Sequence, residues 1–138
     1  MIGHRFKVLI LLICLVLTPP IFAANSEEEA MLEIAKAFSK CSALYDSFGD
    51  KVHLVLPDKS TYVKDVGNGF EIVAIYLFQR ANYDGEEYFA ALFYTHKSRF
   101  DAIDMDHQEM KTGLAECQVW GELQAEMLGE LRERAYKK

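Results

Sequence analysis

The chain has 138 residues, 51% of them hydrophobic, and its 21 acidic residues outnumber 15 basic ones for a formal net charge of −6. This length suits one domain built around one core. The acidic balance, with no basic stripe, argues against binding to nucleic acid or to an anionic membrane, because both attract clusters of Lys and Arg.

The first 24 residues have the organisation of a cleavable secretory signal. Arg5 and Lys7 precede an apolar run at residues 8–17, and prolines and the small residues Ala23 and Ala24 follow it. A ten-residue helix is about 15 Å long, half of the roughly 30 Å hydrocarbon core of a membrane. We therefore expect cleavage after Ala23 or Ala24, a periplasmic or secreted product, and no stable membrane anchor after cleavage. An uncleaved anchor is the alternative.

The predicted mature domain, residues 25–138, contains two cysteines, Cys41 and Cys117. It keeps 13 basic and 21 acidic residues, because Arg5 and Lys7 leave with the signal, and its formal charge is −8. In an oxidising compartment two cysteines predict one disulfide with a single connectivity. Two reduced, buried thiols are the alternative.

The hydrophobic pattern predicts four helices. The first begins at Ser26, which is placed to form a capping box with Glu29, and it ends at Gly49. Residues 50–57 are apolar but short, and they predict a packed loop or a brief strand. The second helix begins at Asp58. The apolar stripe of the first helix recurs at steps of three and four residues: Met31, Ile34, Ala35, Phe38, Cys41, Leu44, Tyr45 and Phe48.

The second helix contains Gly67 and Gly69, and each glycine inside a helix costs about 1 kcal/mol. We therefore expect a break or a kink there. Residues 70–78 also fit a buried strand, but the pattern continues through Asn82 and no partner strand is evident, which favours a helix. Asp84 with Glu87 predicts the start of the third helix, and Asp106 with Glu109 predicts the start of the fourth.

Short connections between four helices predict an all-α fold, an antiparallel up-down-up-down four-helix bundle. In such a bundle Cys41 lies about 10 Å below the end of the first helix, and Cys117 lies about 16 Å below the start of the fourth. Because these heights are similar, the predicted Cys41–Cys117 disulfide and the predicted bundle support each other.

No cofactor or metal is predicted. Cys117 is not followed by the second Cys and the His of a c-type haem site. Met31 and His107, the remaining pair for non-covalent haem, are expected about 20 Å apart along the bundle. One Asp104-x-x-His107 pair is too little for a di-metal bundle site. His96 and His107 fall on apolar stripes, which predicts core histidines, with a pH sensor as the alternative.

The sequence predicts a binding protein rather than an enzyme, since no nucleophile motif is present and both mature cysteines are expected to be bridged. Aromatic residues are more frequent in the middle of the chain than a small core can bury, so some tyrosines should reach the surface. Tyrosine beside acidic residues is typical of protein interfaces. The candidate partner-binding residues are Tyr83, Asp84, Glu86, Glu87, Tyr88 and Tyr94.

The expected partner is another protein, and a basic one suits the acidic charge. In outline the chain resembles small exported helical bundles with one disulfide, which include periplasmic immunity proteins, envelope-stress chaperones and accessory subunits; no residue motif carries this likeness. An immunity or inhibitor factor is the favoured hypothesis. A chaperone, an accessory subunit, and an enzyme that uses Asp101, Asp104 and Asp106 are the alternatives.

Overall fold

The computed structural model describes the backbone of residues 20–138 and the side chains of residues 27–138. The described chain forms four helices, α1 Pro20–His53, α2 Pro57–Arg80, α3 Gly85–Asp101 and α4 Gln108–Tyr136. No strand occurs in this part of the chain. The all-α prediction is therefore confirmed, and residues 70–78 are helical. Most of the predicted signal segment, residues 1–19, lies outside the described residues.

Helix α1 is longer at both ends than the sequence predicted. It begins at Pro20, so Ser26 lies inside it and is not its N-terminal cap. Proline is favourable in the first turn of a helix, and the following alanines sustain it. At the other end α1 continues through Gly49 to His53, so the predicted stop at Gly49 is wrong. Gly49 is buried, and a Cβ atom there would lie 2.6 Å from Cγ of the Lys64 side chain.

The segment predicted as a packed loop or a brief strand is neither. Its first part is the last turn of α1, and a three-residue turn joins His53 to Pro57. Pro57 is the first residue of α2, where its missing N–H would have no helical partner in any case.

The helices run up-down-up-down. The Lys64 ammonium lies 2.5 Å from the Asp50 carboxylate, which places the start of α2 beside the end of α1. At the other end of these helices, Asn82 Nδ2 donates to Glu28 Oε1 over 3.0 Å. These two contacts make α1 and α2 antiparallel neighbours, as predicted.

Helices α1 and α2 each pack against the other three helices, and α1 is the central element because its contacts with α3 and α4 are the more extensive. Between Phe38 and Gly49 most of its circumference is buried. Helices α3 and α4 pack on α1 and α2, and near their joining turn Phe100 and Met110 cluster with Leu44. Small buried residues on α1 allow this close approach from several sides: Ala35, Ser39, Ser42, Ala43 and Ser47.

The main core lies around Phe38, which is fully buried. Its ring makes edge contacts with Phe70 of α2, at 5.1 Å between centroids, and with Trp120 of α4, at 5.9 Å. Full burial of one such side chain stabilises the fold by about 1.5–3 kcal/mol. This cluster therefore holds α1, α2 and α4 together.

The glycines of α2 do not break it, contrary to the prediction of a break, while a kink stays a prediction. A Cβ atom on Gly67 would lie 3.2 Å from the carbonyl oxygen of Ser42 and 3.2 Å from Cβ of Tyr45. On the other side of α2, a Cβ on Gly69 would come within 2.6 Å of Gln124 Nε2. The packing that glycine allows against α1 and α4 offsets its low helix propensity.

The predicted disulfide is confirmed. Cys41 of α1 and Cys117 of α4 are bonded, with their Cα atoms 5.6 Å apart, and both are buried. The bond joins the central helix to the last one. Near it, Lys40 and Glu116 form a surface ion pair at 3.3 Å.

Candidate functional site

The connection between α2 and α3 holds two of the predicted partner-binding residues, Tyr83 and Asp84, in a defined backbone. Asn82 adopts a left-handed conformation with φ of 65°, which asparagine tolerates better than most residues. The next amide, Tyr83 N, donates to the Phe78 carbonyl over 3.0 Å. Asp84 then caps α3, as predicted, by accepting a hydrogen bond of 3.1 Å from the Glu87 amide. The turn is therefore fixed at both ends.

Tyr83 and Tyr88 form one aromatic pair on this turn. Their ring centroids are 4.6 Å apart at 65°, and Tyr88 also contacts the fully buried Phe78 at 5.7 Å. Tyr83 precedes the cap of α3 and Tyr88 lies in its first turn, the positions of a hydrophobic staple. The pair nevertheless remains 38% and 44% exposed. It therefore anchors the helix start and presents rigid aromatic surface to solvent.

Carboxylates surround this pair. A groove of about 430 Å³ beside Tyr83 is lined by Glu28 and Glu29 of α1, together with Leu32, Ala81 and Asn82. Asp84, the cap of α3, and Glu87, in its first turn, are also exposed. Lys36, which lies near Tyr83, is itself bound to Glu33 at 2.9 Å. We define the tyrosine surface as Tyr83, Tyr88, Glu28, Glu29, Asp84 and Glu87.

Two of the predicted partner-binding residues lie elsewhere. Glu86 and Tyr94 line a separate groove of about 300 Å³ between α2 and α3, with Glu71 across from them. Tyr94 is 69% exposed and its ring lies against Phe93, with centroids 5.4 Å apart. Burial, and after it the nearby Asp46 carboxylate, raises the pKa of Glu71. All three predicted tyrosines reach the surface, but the structure divides them between two places.

Sequence reasoning missed an ionic cluster at the opposite end of the bundle. The Lys97 ammonium lies 3.0 Å from Asp46, 2.8 Å from Asp50 and 3.3 Å from Asp101. Lys64 approaches Asp46 and Asp50 from α2, at 3.6 Å and 2.5 Å. The only signal in the sequence is the four-residue spacing within Asp46–Asp50 and within Lys97–Asp101.

Each charged group of the cluster lies beside at least one group of opposite charge, which suits a structural role. Hydrogen bonds from Lys64 and then Lys97 lower the pKa of Asp50. Burial of the Lys97 ammonium opposes its ionisation, but hydrogen bonds to Asp50 and Asp46 outweigh burial and raise the pKa of Lys97 above its usual value. Groups stabilised in their charged forms neither give nor take protons readily near neutral pH, so the cluster is a poor general acid or base.

The histidines differ from their prediction. His107 is exposed rather than in the core, and its Nδ1 accepts a hydrogen bond of 3.1 Å from the Glu109 amide. His107 therefore caps α4, and the predicted cap at Asp106 is wrong. His96 is half-buried, and burial, followed by the charges of Lys40 and Arg99, lowers its pKa.

The three carboxylates of the alternative enzyme hypothesis line one open groove, but they differ in their ion pairing. Asp101 belongs to the ionic cluster, whereas Asp104 and Asp106 are exposed on the turn between α3 and α4. Among the described residues, no group of three or more His, Cys, Asp or Glu side chains is arranged to hold a metal ion.

Comparisons with known protein families, with curated proteins and with solved structures give no match. Within residues 20–138, none of the helices has the length and the apolar character needed to cross a membrane.

Proposed function

We propose that this protein is exported and binds another protein through the tyrosine surface, acting as an immunity or inhibitor factor for a secreted toxin or enzyme. The observation that carries the proposal is the Tyr83–Tyr88 pair. Its rings are held against each other and against Phe78, yet both remain open to solvent. Rigid, partly exposed tyrosine supplies large contact area at a small cost in conformational entropy, which is why it is enriched at protein interfaces.

The charge around the pair supports a basic partner. Glu28 and Glu29 lie on one side of Tyr83, and Asp84 and Glu87 lie at the start of α3. The predicted mature domain carries a formal charge of −8. An acidic surface accelerates the capture of a basic partner and makes association sensitive to salt, while buried aromatic contacts supply the affinity.

The proposed location rests on the sequence of residues 1–24 and is compatible with the Cys41–Cys117 bond. Disulfides persist in oxidising compartments such as the periplasm and are rare in the cytosol. An envelope or secreted toxin would meet an immunity factor in the same compartment.

The test is affinity capture from envelope extracts of the native host with the tagged, disulfide-bonded protein. We expect one partner in a stable stoichiometric complex, weakened by salt and by the double variant Tyr83→Ala/Tyr88→Ala. Tyr62→Ala is the matched control, since Tyr62 is 73% exposed and lies near the start of α2, at the other end of the bundle. Circular dichroism should show that each variant is folded.

Three results would oppose the proposal. Capture of many unfolded clients would indicate a chaperone instead. A single partner that binds the Tyr83→Ala/Tyr88→Ala variant as tightly as wild type would place the interface elsewhere. Deletion of the gene without any new sensitivity to a toxin encoded beside it would argue against an immunity role.

A further inference from the structure

The turn between α1 and α2 presents three consecutive aliphatic side chains to solvent. Leu54 is 84% exposed, Val55 65% and Leu56 58%. Exposed turns normally carry polar residues or glycine, because apolar side chains that stay in solvent do not stabilise the fold. A contiguous exposed apolar patch is typical of an interaction site. We call these three residues the apolar turn.

The apolar turn has a fixed backbone. Val55 N and Leu56 N both donate to the Val52 carbonyl, over 3.0 Å and 2.6 Å. Pro57 then restricts the chain as it enters α2. A partner would therefore meet a surface that is already formed, which lowers the entropy cost of binding.

A groove of about 480 Å³ separates the apolar turn from the α3–α4 turn. Leu54 and Val55 form one side, and Ile103 and Met105 face them from the other. This volume lies within the range of ligand pockets and accepts one or two side chains. Carboxylates occur along the same rim: Asp101, Asp104 and Asp106.

The rim is negative. Its carboxylates, Asp101, Asp104 and Asp106, outnumber its one ammonium group, that of Lys51. Asp101 is bound to Lys97, and Lys51 keeps its charge, because it donates to the neutral Asp101 backbone carbonyl over 3.2 Å. Among residues 27–138, Asp104 and Asp106 take part in no ion pair. An anionic membrane would be repelled by this rim. A second copy docking symmetrically would place the same aspartates against each other.

We propose that the groove at the apolar turn is a second protein-docking surface, which receives a partner segment carrying an aliphatic or aromatic side chain next to Lys or Arg. The apolar part of the groove buries the side chain, and Asp104 and Asp106 attract the cation. This surface lies at the start of α2, whereas the tyrosine surface lies beyond its end, about 35 Å away along a helix of 24 residues. The inference goes beyond the proposed function, because it assigns a second, separate surface.

The test is selection of a displayed library of short random peptides on the full-length, disulfide-bonded protein, with counter-selection on Leu54→Ser/Val55→Ser. Both side chains are exposed, so the double variant should fold. We expect enriched peptides to carry an aliphatic or aromatic residue within two positions of Lys or Arg. A synthetic copy should bind wild type about tenfold more tightly than this variant. It should lose roughly threefold in affinity on Asp104→Asn/Asp106→Asn, with a similar loss at high salt.

Two controls separate this surface from others. Val119→Ser removes another exposed aliphatic side chain, which is 81% exposed on α4, and should leave peptide binding unchanged. Tyr83→Ala/Tyr88→Ala should also leave it unchanged, so failure of the tyrosine surface and failure of the apolar turn give different results.

Four outcomes would overturn the inference: no peptide that depends on Leu54 and Val55, enriched peptides without cations, binding of anionic phospholipid vesicles through the apolar turn, or a dimer that Leu54→Ser/Val55→Ser dissociates. Sedimentation of the free protein at several concentrations tests the last of these.

Discussion

Gly85, the first residue of α3, lies against the backbone of Ile75 in α2. A Cβ atom at Gly85 would come within 2.6 Å of the Ile75 carbonyl oxygen and within 2.8 Å of Gln79 Cγ. Contacts this short require the helices to separate. The close approach holds the start of α3, and with it Tyr88, against the end of α2.

Gly85→Ala should therefore destabilise the protein by about 1–3 kcal/mol, the usual cost of overpacking. Gly129→Ala is the matched control, because a Cβ there meets no atom within 4 Å. The control should raise the free energy of unfolding by up to about 1 kcal/mol, since alanine favours the helix. Urea denaturation of both variants measures the difference, and a stabilised Gly85→Ala protein would contradict the packing.

Loss of the Cys41–Cys117 bond should lower stability substantially. The bond spans 76 residues, and the loop-entropy model assigns such a loop roughly 4 kcal/mol. Cys41→Ala and Cys117→Ala should each lower the melting temperature by about 10 °C or more. The double variant should be no less stable than either single one, because each already removes the whole bond. Non-reducing peptide mapping provides the direct check, and free thiols in the purified protein would contradict the bond.

Lys97→Met should destabilise the protein at neutral pH by about 1–2 kcal/mol, since it leaves three carboxylates without their shared cation. Asp50 has a lowered pKa, so its contribution is present above its ordinary value of 3.8 and is lost as the pH falls through the lower folded value. Lys97 has a raised pKa, so its contribution is present below 10.5 and is lost only as the pH rises through its folded value.

The difference between wild type and Lys97→Met should consequently shrink below about pH 4, where wild type loses its own advantage. Lys36→Met, at a fully exposed pair with Glu33, is the control and should behave as wild type. Chemical denaturation from pH 2 to 8 would show the effect. A difference that stays constant across this range would oppose an electrostatic origin.

Asp84→Ala should cost about 1 kcal/mol, because the Glu87 amide loses the side chain that accepts its hydrogen bond. Asp84→Asn keeps the cap and removes the charge, so it should retain most of the stability. The same pair separates two roles at the tyrosine surface: partner binding that falls in both variants depends on the charge, whereas binding that falls only in Asp84→Ala depends on the turn. Equal stability of Asp84→Ala and wild type would oppose the cap.

The protein isolated from its native host should begin near Asn25, after cleavage at Ala23 or Ala24. Intact mass and N-terminal sequencing would establish this. The peptide bond that would be cleaved lies in the first turns of α1. Cleavage would therefore shorten that helix without removing Phe38 or the core around it. A full-length species retained in the membrane would contradict the export proposal.

Features that depend on local chemistry were predictable from the sequence. The cap at Asp84 follows from an acid three residues before Glu87, and the Cys41–Cys117 bond follows from two cysteines at matching heights in antiparallel helices. The predicted helix end at Gly49 and the predicted break at Gly67 were wrong for one common reason. Glycine has a low helix propensity, but it allows a neighbouring helix to pack closely against it. No local sequence pattern reveals which glycines make such contacts.

The candidate surfaces were predictable only in part. The tyrosines were expected at the surface because a small core cannot bury every aromatic residue, and Tyr83, Tyr88 and Tyr94 are exposed. Their division between two grooves depends on how α3 is rotated against α2. The ionic cluster around Lys97 was missed because its residues come from three different helices. The apolar turn was predicted as a packed loop or a brief strand, because three consecutive aliphatic residues favour burial.

The position of Cys41 on the central helix has a consequence for the order of synthesis. Chains grow from the N-terminus, so Cys41 is made 76 residues before Cys117 and cannot form this bond until that part of α4 has been made. In an oxidising compartment, a chain truncated before Cys117 would keep a nucleophilic sulfur that thiol–disulfide oxidoreductases can capture as a mixed disulfide. The bond thus distinguishes complete from incomplete chains chemically, in a way that quality-control enzymes can recognise.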